Sequence, residues 1–313
     1  MKHTAKITLI LIGMFFITQL IGILIAGIYS PEIIQVVNQT TGEIITLTQY
    51  NLPYGLEPPQ EIQPQTSAIS IIIALFIAVT LMLLLMKLKA EIFLRIWFLI
   101  VVILGIGLAL NAFLIKIPNS ALIALIIAIP LGLIKIFQRN IIVHNLTEML
   151  IYPGIASVFI PILNIWSVVV LLIIISLYDM YAVWKAGFMQ KMAKYQIEKL
   201  KIFSGFFIPY INKKDRLLLK NARQKTADKK TKNKGKKVKV NLAILGGGDV
   251  VFPILLAGVV LRTLGIFPAI IISIGATLSL AFLFYKSEKG KFYPAMPFIS
   301  VGCLIALAVA YFI

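Results

Sequence analysis

Residues 165–187 read IWSVVVLLIIISLYDMYAVWKAG, and from Ile165 to Trp184 the only charge is Asp179. About twenty apolar residues cross the hydrocarbon core of a bilayer as a helix, so this stretch predicts a membrane span. A carboxylate inside such a span costs several kcal/mol unless it is neutral, paired or facing water. Asp179 is therefore both the oddity of the segment and its first functional candidate.

The same length rule, applied outward along the chain, predicts spans at 7–28, 67–86, 92–115, 120–137, 141–163, 165–187, 243–264, 266–285 and 295–313. The expected fold is all-α, a polytopic membrane protein of nine helices. Composition agrees: 60% of the 313 residues are hydrophobic and 13% charged, outside the range of soluble domains. Pro130, Pro153 and Pro161 interrupt the fourth and fifth spans, as membrane helices tolerate. Lys2 and Lys6 precede an apolar run, Ile7 to Ala26, longer than a signal-peptide core and without a small-x-small cleavage site, so the first span is read as retained.

A net charge of +18 would suggest nucleic acid, but eighteen Lys and Arg against three acids (Glu198, Asp215, Asp228) lie between Lys185 and Lys239. The excess belongs to one hydrophilic loop, which excludes a nucleic-acid partner and predicts a solvated, partly disordered segment facing anionic lipid headgroups. Three parts follow: 1–187 with six spans, a cytoplasmic basic loop over 188–242, and 243–313 with three spans. Placing the N-terminus in the cytoplasm and the C-terminus outside puts twenty-eight of thirty cations on the inner side, Lys116 and Arg262 excepted. The first external loop then holds Glu32, Glu43, Glu57 and Glu61, as the positive-inside rule expects.

Some chemistries drop out. His3 and His144 are the only histidines and have no partner at metal-ligand spacing, so no metal or other cofactor is expected. No G-x-S-x-G element appears, and Cys303, in an apolar run, reads as a packing residue. Asn38-Gln-Thr is a glycosylation signal on the outer loop, whereas Asn145-Leu-Thr falls inside and reads as chance.

Of twelve acids, ten fall in loops or near helix ends, Glu148 among them, and two lie within apolar helices: Asp179 and, in NLAILGGGDVVFP, Asp249. Asp179 precedes Lys185 by six residues, about 9 Å of helix, and Asp249 follows by six residues the expected start of its span at Ala243. The helices run in opposite directions, so the two carboxyls are expected at similar depth near the cytoplasmic side. Carboxylates about 3 Å apart cannot both ionise and share one proton. In aspartic proteolysis the ionised partner takes a proton from water while the protonated one polarises the scissile carbonyl. Gly246, Gly247 and Gly248 remove side chains directly before Asp249, where a peptide backbone must come close; the alternative is a small-residue packing face. Lys237-Val-Lys-Val-Asn-Leu alternates with period two, as a strand would, and is expected to receive an unwound substrate as an added strand.

Taken together these residues resemble the presenilin and signal peptide peptidase group of intramembrane aspartyl proteases. That family's pattern is Y-D in the sixth span, G-x-G-D in the seventh and P-A-L before the ninth. Tyr178-Asp179, Gly246 to Asp249 and Pro294-Ala295-Met296-Pro297 stand at those places in that order. Met296 replaces the family Leu, a swap of similar volume. Pro253 looks like a signal peptide peptidase, and the deduced orientation like a presenilin. The resemblance implies that Asp179 and Asp249 are the catalytic pair, that the Pro294–Pro297 element shapes the cleft, and that Tyr178 lies near the dyad or simply packs. It implies single-span transmembrane peptides as substrates. Paired intramembrane carboxylates and glycine-broken helices also mark ion- or proton-coupled transporters, and a prepilin-type peptidase would share the glycine-aspartate element alone.

Overall fold

The computed structural model describes residues 5–37, 44–58, 64–138, 140–186, 195–196, 199, 202, 204–210, 241–288 and 293–312. Its helices are α1 (Ala5–Ile28), α2 (Pro64–Lys87), α3 (Glu91–Leu114), α4 (Ser120–Phe137), α5 (Ile141–Phe159), α6 (Ile165–Tyr181), α7 (Gly247–Leu264), α8 (Ile266–Lys286) and α9 (Met296–Tyr311). Eight are long and apolar enough to cross a membrane, and α9, at 16 residues, is shorter. Two antiparallel hairpins accompany them: β1 (Glu32–Val37) with β2 (Ile44–Gln49), and β3 (Gly205–Tyr210) with β4 (Asn241–Gly246).

Polar residues set the helix boundaries. Asn140 starts α5 by accepting from the N–H groups of Ile142 and Val143, and Asn164 starts α6 by accepting from Ser167 N–H at 2.8 Å. Gly265, at φ 97°, ends α7 and begins α8 in a single residue, a backbone state that favours glycine. Pro130 and Pro153 sit inside continuous helices, while Pro161 falls in the 3₁₀ turn Ile160–Ile162 that closes α5. Arg262 of α7 donates to the Ile160 carbonyl there at 2.8 Å.

The interior is one large cluster centred on α1, which packs on α5, α7 and α8. Lipid tails are as apolar as leucine, so close fit holds membrane helices together. Small residues mark the crossings: a Cβ on Gly154 would collide with the Gly105 carbonyl of α3, and one on Gly275 would lie 2.7 Å from the Gly302 carbonyl of α9. Helix α2 is the exception, packing mainly on α3 and α6 among the described residues and burying none of its apolar window. A second, smaller cluster holds Ile25, Tyr29, Leu52 and Leu108, where the Tyr29 hydroxyl donates to the Leu108 carbonyl at 2.7 Å and accepts from Asn111 at 2.9 Å.

Two expectations need correction. The seventh span does not begin at 243: residues 241–246 are β4, and the helix starts at Gly247. Three glycines are poor helix formers, and the backbone before them pairs with β3 instead. Nor is the basic segment solvated throughout, because it contains β3, whose Phe206 is fully buried. The Lys-rich tract 229–239, most of the strand expected at 237–242 and the Asn38 signal lie outside the described residues.

Candidate active site

Asp249 is the third residue of α7, and Gly246 is that helix's N-cap. A carboxylate at the third position can reach back to the N–H of the cap residue, half of a capping box, and the Gly246 N–H donates to the Asp249 carboxyl. The strand-to-helix junction thus fixes the side chain locally, and the negative charge sits at the favourable end of the helix dipole. Pro253, four residues on, has no N–H to close on the Asp249 carbonyl, so the first turn lacks that hydrogen bond. From α1, the buried Gln19 donates to the neighbouring Val250 carbonyl at 3.1 Å. Asp249 itself is partly buried.

Asp179 lies near the end of α6 and is 5% exposed. Its carboxyl is held from another element: Met296 N–H donates to Oδ2 at 3.1 Å, and the Ala295 N–H donates as well. These amides open α9, where Pro297 supplies a preset φ and leading N–H groups have no carbonyl of their own turn to bond. The Pro294–Pro297 element therefore reaches the site through its backbone, with Pro294 and Met296 buried beneath it. One turn away, Ser176 and Ser300 join α6 to α9 by a hydrogen bond of 2.8 Å.

The two aspartates, seventy positions apart in the chain, stand on helices α6 and α7, which pack on each other, and Asp249 feels the charge of Asp179. Among the described residues no ion pair involves either, and the groups that hold them are backbone amides. Tyr178 packs edge-on against Phe76 of α2, ring centroids 6.2 Å apart.

The glycines differ from one another. A Cβ on Gly247 would stand 2.7 Å from the Tyr152 ring and 3.0 Å from the Ser204 hydroxyl, so an internal contact demands that glycine. A Cβ on Gly246 would crowd Asp249 Oδ2 at 3.1 Å. Gly248 is exposed, with its nearest such neighbour at 3.9 Å, and offers open space to a visitor.

Sequence reasoning missed a third buried acid. Glu148, placed near a helix end, is 1% exposed and sits 2.6 Å from Lys135 of α4. These two residues, with Tyr152, Ser204, Gly247 and Gly248, line a cavity of about 190 Å³ behind the glycines. The signal was available: a Lys near the end of one span and a Glu inside the next, joined by a short loop, are bound to meet. Among the described residues no group of His, Cys, Asp and Glu has the makings of a metal site.

Residues 33–313 match the family model described as signal-peptide peptidase, presenilin aspartyl protease. The fold is similar to a solved structure of a presenilin family intramembrane aspartate protease in space group C222, at TM-score 0.57 and 18% identity, covering 97% of this chain and 98% of that one. A second such structure, in space group P2, matches at TM-score 0.56 and 18% identity, covering 96% of each chain. No curated protein matches the chain in sequence.

Proposed function

The chain belongs to the signal-peptide peptidase and presenilin family of aspartyl proteases, and from that premise we propose that Asp179 and Asp249 are the catalytic pair of this intramembrane endopeptidase. The observation that carries the proposal is that they stand on packed helices with the charge of Asp179 felt at Asp249, each held by backbone N–H groups and without a paired cation among the described residues. Donation by Ala295 and Met296 orients the Asp179 carboxyl. In the proposed cycle one carboxylate draws a proton from a water as its oxygen attacks the scissile carbonyl carbon. The protonated partner gives its proton to the carbonyl oxygen; as the C–N bond breaks, the first carboxyl passes the water proton to the leaving amine and the partner takes a proton back from the diol. The test is incubation of purified protein with a model transmembrane peptide, read by mass spectrometry. Inhibitor-sensitive products that vanish in Asp179→Asn and Asp249→Asn support the pair; undiminished cleavage by either variant removes it.

Substrate binding is proposed to use β4. One edge of β4 pairs with β3, and the far edge of β3 is occupied by Asn145, which accepts from Phe207 N–H at 3.2 Å and donates to its carbonyl at 3.0 Å. The other edge of β4 runs directly into Gly246 and the dyad, so a peptide unwound along it would pass over Gly248. Alternation along β4, with Ala243 and Leu245 buried and Ile244 40% exposed, suits such a ribbon. N-methylation of alternate substrate residues should then block cleavage in one register and spare it in the other; equal cleavage in both counts against strand addition.

The proposed topology keeps the N-terminus and the 188–242 segment cytoplasmic and the C-terminus outside, with nine spans and single-span substrates whose N-termini are outside. Labelling of single cysteines introduced at either end, in sealed vesicles, tests it: accessibility from one side only at both ends would reverse the assignment of one terminus.

A further inference from the structure

Lys135, His144 and Glu148 form a charged cluster inside apolar helices, with Lys135 and Glu148 side chains 3% and 1% exposed and His144 8% exposed. A buried ion pair rarely adds stability over apolar residues of the same size, so its position raises the question of what it holds. His144 and Glu148 are four apart on α5 and share a face. Both grip one residue of β3: Glu148 Oε1 accepts from Gly205 N–H at 3.3 Å, and His144 Nε2 lies 2.9 Å from the Gly205 carbonyl. A carbonyl only accepts, so Nε2 carries the hydrogen; an ammonium only donates, so Nδ1, 3.4 Å from Lys135 Nζ, offers a lone pair. The imidazole is accordingly neutral, between an ammonium and a carboxylate. Two residues further along the same strand edge, Asn145 binds both backbone groups of Phe207, and the Phe207 ring packs at a tilt against His144 with centroids 4.5 Å apart. Side chains of α5 thus take the place of a neighbouring strand.

Gly205 is the residue that faces Gly246 in the β3–β4 register, and Gly246 is the N-cap whose N–H holds Asp249. A short path therefore leads from the cluster by hydrogen bonds to Gly205, by cross-strand contact from Gly205 to Gly246, and by the Gly246 N–H to the carboxylate. We propose that His144 and Glu148 are positioning residues for peptide hydrolysis, with Lys135 as the counter-charge of Glu148, setting through Gly205 where Gly246 and Asp249 stand relative to Asp179. The proposal rests on the reading of Asp179 and Asp249 as the catalytic pair. Reacting groups displaced by about 1 Å can lose on the order of 100-fold in rate, so a change here should appear in turnover and leave substrate affinity alone.

Two double variants separate positioning from simple filling of space. Lys135→Met with Glu148→Gln removes both charges but keeps an oxygen for Gly205 N–H; Lys135→Met with Glu148→Leu removes the oxygen too. In the full-length protein, cleaving a transmembrane peptide, the first pair should keep kcat within about threefold and the second lose roughly 10- to 100-fold, with KM and Tm alike in both. Equal kcat in the two overturns the proposal. Should the Leu variant fail to fold, His144→Gln, which keeps a donor for the Gly205 carbonyl, is compared with His144→Phe, which does not. The same split is expected; equal rates, or collapse of the Phe variant as well, reduce the cluster to a structural role and overturn it. Asp249→Asn run alongside separates the two readings: if it still cleaves, the dyad itself is misassigned whatever the cluster does.

Discussion

Among the described residues two places bury carboxylates between apolar helices, and they treat them in opposite ways. Glu148 is matched at 2.6 Å by a lysine and takes in addition the Gly205 N–H. Among the described residues Asp179 and Asp249 form no ion pair and receive backbone N–H groups, and Asp249 feels the charge of Asp179. A carboxylate with a fixed counter-charge serves to hold something. Two that must share one proton keep a proton available to move. The difference teaches that burial alone does not single out a candidate catalytic acid; the lack of a paired cation among the described residues, with donors aimed at the carboxyl, is what sets the proposed pair apart.

The largest expected effect breaks the dyad side of this contrast. Asp179→Asn and Asp249→Asn each remove a group that takes or gives a proton and should lower kcat by on the order of 1,000-fold or more, with Tm close to that of the parent. On the other side, Glu148→Ala leaves Lys135 buried and uncompensated, which should cost about 3–5 kcal/mol of stability, read as a large drop in Tm in detergent. An Asp→Asn variant that unfolded, or a Glu148→Ala variant that stayed as stable as the parent, would erase the distinction.

Much of this was legible in the residues. Apolar runs located the helices to within a few positions, and the rarity of charge in hydrocarbon singled out Asp179 and Asp249. What stayed hidden depended on contacts distant in sequence. The strand GFFIPY, residues 205–210, is six residues inside a segment dominated by lysine, and it becomes a strand only by pairing with residues 241–246 and being gripped by α5. Asn145 looked like a chance glycosylation signal because its partner, Phe207, lies 62 positions away. Glu148 was passed over because closeness to a helix end, which usually means water, here means contact with Lys135.

An intermediate effect distinguishes the glycines. Gly247→Ala drives a methyl into Tyr152 and Ser204 and should destabilise by about 1–3 kcal/mol, as overpacking does, whether or not substrate is present. Gly248→Ala meets nothing closer than 3.9 Å, so Tm should hold while KM for a transmembrane peptide rises. If Gly248→Ala left both Tm and KM unchanged, the substrate backbone would not pass over that residue, and strand addition along β4 would need another course.

The smallest effect concerns Met296, where the family pattern has Leu. Its side chain is buried, 3% exposed, and Leu and Met are close in volume, so Met296→Leu should shift stability by less than about 1.5 kcal/mol. What matters to the dyad is the Met296 N–H on Asp179 Oδ2, and that bond belongs to the backbone at the start of α9, which either residue supplies. Cleavage by Met296→Leu should therefore match the parent in kcat and KM. A marked loss of kcat at unchanged Tm would mean that the thioether itself shapes the cleft, and that the Pro294–Pro297 element acts through its side chains as well as through its amides.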